Sequence, residues 1–198
     1  MSYLIHHGIK GQQWGVQNGP PYPIGVHHGD YKSSDVIFAS GKVKFDEPIP
    51  KMMKDELDIA IKAGSKIIIG DAPGADTRCQ DYLASKKYRN VDVYTTDAVV
   101  RNNVGNWNVV RIGANGNTEE RDIRAQKDIA MFKAATKAIV ISSYDDRPDS
   151  ATAKNIERML GAGKDVQFYD YKRKTLGPKH NNSLEHGQMY AIIFSERR

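Results

Sequence analysis

The sequence has a single cysteine, Cys79, and no apolar run close to the ~20 residues that a membrane-spanning helix needs. One cysteine excludes an internal disulfide framework. Because Cys79 falls in a predicted helix, we interpret it as a buried structural thiol. The first residues lack the charged flank, apolar stretch and cleavage site of a secretory signal. We therefore expect a soluble cytoplasmic protein without a membrane partner.

The positive charge is concentrated near one end of the chain. The formal net charge is +5, and residues 171–198 contain six basic and two acidic residues. A basic tail can contact nucleic acid or another anionic surface, and it can also simply keep a protein in solution. Nucleic acid thus stays open as a partner.

Three segments differ in their residue pattern. Residues 1–34 are rich in Gly, His, Pro and Tyr without sustained periodicity, which indicates an N-terminal arm. Over residues 35–170, short apolar runs alternate with amphipathic segments, a pattern typical of parallel strands joined by helices. Residues 171–198 form a basic C-terminal extension, within which 189–194 is a candidate edge strand.

The pattern predicts an α/β fold, a Rossmann-like three-layer domain with a mainly parallel sheet of about five strands. The predicted strands are 36–40, 66–70, 91–94, 138–142 and 166–169, and the predicted helices are 50–63, 75–87, 118–135 and 150–161. In the third helix, Ile123, Ile129, Ala130 and Phe132 share one face, and we expect its Arg, Lys and Asp residues on the other. Residues 95–117 form a long loop with a candidate strand at 107–112.

The loop GDAPGAD at 70–76 is the most informative segment, because it joins a β-branched strand directly to a helix. Glycine lets a ligand approach the backbone closely, and a helix N-terminus attracts phosphate. Asp71 or Asp76 could bond a ribose hydroxyl, or Asp76 could merely cap its helix. Neither the dinucleotide fingerprint nor the P-loop spacing is present. The predicted ligand-binding residues of this loop are Gly70, Asp71, Ala72, Gly74, Ala75 and Asp76.

This loop resembles the Gly-Gly-Ala-x-Gly-Ala-Asp loop of the SLOG superfamily, in particular its YspA-like branch. The superfamily includes the DNA-processing protein A fold and the LOG nucleotide hydrolases. The strand VIFASG resembles its opening strand, and the segment ERDIR at 120–124 resembles its Arg-Asn pair, with Asp in place of Asn. Its Gly/Ser-rich turn and following Thr are similar to SSY at 142–144 and SAT at 150–152. The resemblance spans residues 35–170 and implies a nucleotide site.

The resemblance adds residues from three further segments to the predicted site. Two arginines near the start of a helix could clamp phosphate, although such residues are also typical of a solvated helix face. Ser150 is explained equally well as a helix cap. We predict no metal and no cofactor. The added ligand-binding residues are Ser40, Gly41, Arg121, Arg124, Ser142, Ser143, Ser150 and Thr152.

The resemblance implies more than one class of function. We favour binding of a nucleotide or a nucleotide-derived signal without turnover, as a sensor, carrier or sponge. LOG-like relatives instead cleave N-glycosidic bonds, which requires acidic side chains near the reacting carbon. The candidates for that role are Asp76, Glu120 and Glu157, but residues 142–157 lack the glycine run of the LOG turn. Single-stranded DNA binding, as in the DNA-processing relatives, is a third hypothesis.

The opening residues resemble a motif of tailed-phage and phage-associated proteins, His-x-Gly-Ile-Lys-Gly-Met-Lys-Trp-Gly-Val. This resemblance implies a phage or prophage origin. The arm's histidines have no acidic or thiol partner at metal-binding spacing, so we interpret them as surface residues. Related folds often dimerise through a helix face, and an apolar patch on the third helix would indicate a homo-oligomer. The residues shared with the motif are His7, Gly8, Ile9, Lys10, Gly11, Trp14, Gly15 and Val16.

Overall fold

The computed structural model describes residues 28–113 and 120–179, which form an α/β fold around one sheet. The strands are β1 (Val36–Gly41), β2 (Lys66–Gly70), β3 (Val91–Thr95), β4 (Asn108–Arg111), β5 (Lys137–Ser142), β6 (Asp165–Asp170) and β7 (Thr175–Pro178). The helices are α1 (Lys51–Ala63), α2 (Ala75–Ser85), α3 (Glu120–Ala134) and α4 (Ala151–Gly161). The five predicted strands and the candidate strand in the long loop are confirmed.

The strand β7 was not predicted. It lies in the segment that the sequence pattern assigned to the basic extension, and it pairs antiparallel with β6. The candidate edge strand at 189–194 lies outside the described residues, as does the phage-associated motif in the arm.

The strand order β4-β3-β2-β1-β5-β6-β7 reverses direction between β1 and β5. From β1 the chain adds β2, β3 and β4 on one side, then returns through α3 to place β5 on the other side of β1. All pairs are parallel except β6 with β7. Because parallel crossovers are right-handed, this reversal moves the later helices to the opposite face of the sheet. The result is compatible with a Rossmann-like arrangement.

Each face of the sheet carries its own apolar core. On one face, Ile37, Ile67 and Ile69 pack with residues of α1 and α2. On the other, Phe38 and Ile68 pack with residues of α3 and α4. Burial on both faces explains why the central strands are nearly continuous apolar runs.

Two predictions about side-chain burial have different outcomes. Cys79 is buried, as predicted, and burial raises its thiol pKa. The prediction that the lysines of α3 lie on its outer face was wrong for Lys127, which is buried one turn before Met131. Residues four apart share a helix face, so the buried Met131 carries Lys127 toward the sheet with it.

The described surface gives no support to the predicted dimerisation patch. Among these residues, the exposed large hydrophobic side chains are Val43, Val99, Val104 and Tyr144, and none belongs to α3. No helix in the described ranges is long and apolar enough to cross a membrane.

Candidate functional site

Most of the predicted ligand-binding residues meet at the carboxyl edge of the sheet. Gly41, Gly70 and Ser142 end the neighbouring strands β1, β2 and β5. The Ala75 amide, which opens α2, donates to the Lys42 carbonyl at 3.0 Å. Thr152 at the start of α4 donates from Oγ1 to the Gly41 carbonyl at 3.1 Å. Loops from three strands are thus joined where the strand order reverses, the position at which open α/β sheets bind ligands.

Two glycines of the 70–76 loop are required by the protein's own packing. Gly74 has a φ of +81°, and a Cβ there would lie 2.1 Å from the Val43 carbonyl oxygen. A Cβ at Gly70 would lie 2.5 Å from Asp76 Oδ2 and 3.1 Å from Lys127 Nζ. Gly74 therefore allows the loop to pack on the end of β1, whereas Gly70 makes room for two charged groups.

Asp71 anchors the loop that follows β3. Its carboxylate is buried and accepts hydrogen bonds from Arg101 Nη2 at 2.7 Å, Arg101 Nε at 3.2 Å and Thr95 Oγ1 at 2.7 Å. Burial by itself would raise the pKa of Asp71, but these hydrogen bonds outweigh it and lower that pKa below the usual range. Since its oxygens are already engaged, we interpret Asp71 as a positioning residue rather than a ligand contact.

Asp76 lies in a different environment. It is only 9% exposed, and burial raises the pKa of its carboxyl to about 7, against the opposing charge of Lys127. The carboxyl accepts a hydrogen bond from the backbone of Ala72. A buried carboxyl that titrates near neutrality can bind a donor as carboxylate and can donate a proton as acid.

Lys127 is a candidate site residue that the sequence pattern missed. It is 8% exposed, and its nearest charged partner within 4 Å among the described residues is Asp128, at 3.8 Å. No hydrogen bond joins its ammonium to those residues. The Lys127 nitrogen itself keeps contact with solvent, because within the described ranges only Gln167 Oε1 is both closed to solvent and without a hydrogen bond. The four-residue spacing to Met131 is the sequence signal that could have placed Lys127 on the inner face.

A cleft of about 460 Å³ opens at the same edge of the sheet, between the ends of β1 and β5 and the start of α4. This carboxyl-edge cleft is lined by Lys42, Lys44, Asp146 and Arg147, together with the first turn of α4. Lys42 donates to Asp146 at 2.8 Å and also to the Tyr171 hydroxyl. Despite partial burial, these contacts lower the pKa of Asp146. Lys44 and Arg147 are more exposed, and Arg147 lies 3.8 Å from Asp149.

The predicted hydroxyl groups shape this cleft through internal hydrogen bonds. Ser142 Oγ donates to Asp146 at 3.0 Å, and Ser143 Oγ accepts from the Asp145 amide at 3.3 Å. Ser150 caps α4 by accepting from the Ala153 amide at 3.1 Å. The amides of the first helical turn lack intrahelical acceptors, so those at 151 and 152 are the groups best placed to bind phosphate.

Two further predicted residues whose side chains are described, Glu157 and Arg124, do not line this cleft. Glu157 is exposed on α4 and does not line the carboxyl-edge cleft. Arg124 is exposed on α3. Glu120 and Arg121 belong to the first turn of α3, and their side chains lie outside the described part of the structure.

No protein-family model, curated protein or solved structure matches this chain. The functional interpretation therefore depends on the geometry of the carboxyl edge and on the resemblance seen in the sequence. Within residues 28–113 and 120–179, no cluster of three or more His, Cys, Asp or Glu side chains is arranged to hold a metal ion.

Proposed function

We propose that this chain binds a nucleotide or a nucleotide-derived signal at the carboxyl edge of a Rossmann-like, SLOG-type domain. In this proposal it acts without turnover as a cytoplasmic sensor, carrier or sponge of phage or prophage origin. The observation that carries the proposal is Lys127, a residue only 8% exposed whose ammonium has no hydrogen bond to the described residues.

Lys127 offers hydrogen-bond donors at the carboxyl edge, where its Nζ lies near Gly70. An ammonium group has three N–H donors, and Asp128 at 3.8 Å is too distant for a hydrogen bond. Asp76 lies on the other side of the space above Gly70. A buried carboxyl with a perturbed pKa, such as that of Asp76, is typical of ligand sites. A ligand that accepts a hydrogen bond from Lys127 and donates one to Asp76 would give both side chains a hydrogen-bonding partner.

The distance across the site suits a nucleotide. The ends of β2 and β5 flank β1, so they are two strand spacings apart, roughly 9.6 Å. The helices α3 and α4 cover the same face of the sheet. A ligand can therefore contact Lys127 with its base or ribose while its phosphate reaches the first turn of α4 and Arg147. Backbone amides, a helix dipole and two cations favour an anion at that end.

Calorimetric titration of the full chain with a panel of mononucleotides and cyclic nucleotides tests this proposal. The variant Lys127→Met should weaken binding of the preferred nucleotide about tenfold or more, since it removes a buried charged donor. Lys133→Met is the matched control, because Lys133 is exposed on the same helix and should leave binding unchanged. Absence of nucleotide binding, or equal loss in both variants, contradicts the proposal.

Asp76 supports a second candidate function, cleavage of a nucleotide's N-glycosidic bond. A carboxyl with a pKa of about 7 near the Lys127 ammonium can serve as a general acid or base at neutral pH. Chromatography of nucleotides incubated with the protein would then show released base. In Asp76→Asn this release should stop while nucleotide binding persists. If the nucleotides are still intact after prolonged incubation with wild-type protein, cleavage is excluded and binding without turnover remains.

A further inference from the structure

A second cleft lies at the opposite, amino edge of the sheet. It has a volume of about 380 Å³ and is enclosed by residues 28–31, the first residues of β5 and β6, and the segment after α4. It shares no lining residue with the carboxyl-edge cleft. Its size is within the range of small-molecule sites.

Gln167 gives this amino-edge cleft an unfilled acceptor. Its side chain lines the cleft and is only 8% exposed. In the described ranges, Gln167 Oε1 is the one buried side-chain nitrogen or oxygen atom without a hydrogen-bond partner. Folded proteins rarely leave such an atom unpaired, because desolvation without a hydrogen bond costs stability. The acceptor therefore calls for an N–H or O–H group from outside the described chain.

The charges around the cleft favour a monoanion. Three lysines and two aspartates line it, which leaves one positive charge in excess. An excess this small suits a singly charged group, and the two carboxylates repel a phosphate dianion. The charged residues of the lining are Asp30, Lys137, Lys164, Asp165 and Lys179.

Lys164 is one of two lysines with an N–H donor available to bind that anion, the other being Lys179. It donates to the carbonyls of Phe132 at 2.7 Å and Ala135 at 2.6 Å, which uses two of its three N–H donors. Lys137 is engaged by the Asp30 carbonyl and lies 3.5 Å from Asp35. Lys179 lies over the rings of Tyr144 and Phe168, and Lys164 lies over the ring of Phe132. The third donor of Lys164 is thus available, and Leu160 and Val166 offer apolar contact for a short carbon chain.

We propose that the amino-edge cleft binds a small monocarboxylate that carries an N–H or O–H donor, of the hydroxy-acid or amino-acid class. The carboxylate accepts from Lys164, and the donor reaches Gln167 Oε1 when the Gln167 side chain turns toward the cleft, since this atom is closed to solvent in the structure. This site is separate from the nucleotide site and does not depend on it.

Calorimetry with the full chain and two matched probes tests the assignment. Lactate and propionate have the same carbon skeleton and charge, but only lactate carries a hydroxyl donor. We expect lactate to bind about tenfold more tightly than propionate, since only lactate satisfies the buried acceptor. No saturable binding of lactate, or equal binding of both acids, overturns the assignment.

Two variants connect the preference to Gln167. Gln167→Leu and Gln167→Met remove the unpaired acceptor, and Met keeps nearly the length of glutamine. Both should fold with an unchanged or higher melting temperature and should bind lactate and propionate equally. If either folded variant retains the lactate preference, Gln167 is not the acceptor and the proposal fails. A nucleotide titration of the same variants should match wild type, which separates this site from the carboxyl edge.

Discussion

Replacing Asp76 by Asn should change how the stability of the protein depends on pH. Burial raises the pKa of Asp76 from 3.8 to about 7 in the folded state. Between these two values the folded chain holds a proton that the unfolded chain has lost, so the free energy of unfolding falls as pH rises. Below pH 4 both states are protonated, and above pH 7 both are ionised, so the effect is confined to that window.

The size of the effect follows from the two pKa values. A shift of roughly three pKa units corresponds to about 4 kcal/mol in full, of which about 3 kcal/mol develops between pH 5 and pH 8. Asparagine has a similar shape and does not titrate. The free energy of unfolding of Asp76→Asn, relative to wild type, should therefore rise by about 3 kcal/mol over this range.

Urea denaturation of both proteins at pH 5, 6, 7 and 8 measures this difference. A second variant, Lys127→Met, removes the positive charge that opposes the rise in the Asp76 pKa, so it should move the transition to higher pH. A difference between Asp76→Asn and wild type that stays constant from pH 5 to 8 would refute the reasoning. It would mean that Asp76 ionises in the same range whether the chain is folded or unfolded.

Three further substitutions test the packing around the site. Asp71→Asn weakens the hydrogen bonds from Arg101 and should lower the free energy of unfolding by about 2 kcal/mol. Because the Asp71 pKa is depressed, this loss of stability should be constant from pH 5 to 8 and should disappear in acid as the carboxyl protonates. A loss that varies between pH 5 and pH 8 contradicts this prediction. Gly74→Ala should lower the free energy of unfolding by about 2 kcal/mol or more, measured by urea denaturation, because a Cβ would meet the Val43 carbonyl. A variant as stable as wild type would disprove this packing. Ser150→Ala should cost about 1 kcal/mol through loss of the α4 cap, and a thermal melt with an unchanged midpoint would speak against the cap.

The sheet could be predicted because its signals are local. Apolar runs such as KIIIG are buried on both faces, which is a property of central parallel strands that the sequence shows directly. The strand β7 escaped prediction because it has four residues, including Gly177 and Pro178. Such a segment carries little β propensity of its own, and its pairing with β6 supplies the hydrogen bonds.

The sequence predicted which loops lie at the carboxyl edge, but it did not predict the contacts that each residue makes there. The loop at 70–76 does lie at the carboxyl edge, beside the residues predicted from β1, β5 and α4. The loop sequence is the same whether Asp71 contacts a ligand or a distant side chain. Its partner Arg101 is thirty positions away, so no local pattern could reveal the ion pair.

Local sequence thus decided the strands, the helices and the position of the loop, because propensity, capping and apolar periodicity act between near neighbours. Only the tertiary structure decided how each charged side chain at or near that loop is paired. Asp71 is satisfied by Arg101, whereas Asp76 and Lys127 are brought together from α2 and α3 over Gly70. Burial and charge pairing depend on residues distant in the chain, and these long-range contacts set the pKa of Asp76 and leave Lys127 without a hydrogen-bond partner in the described residues.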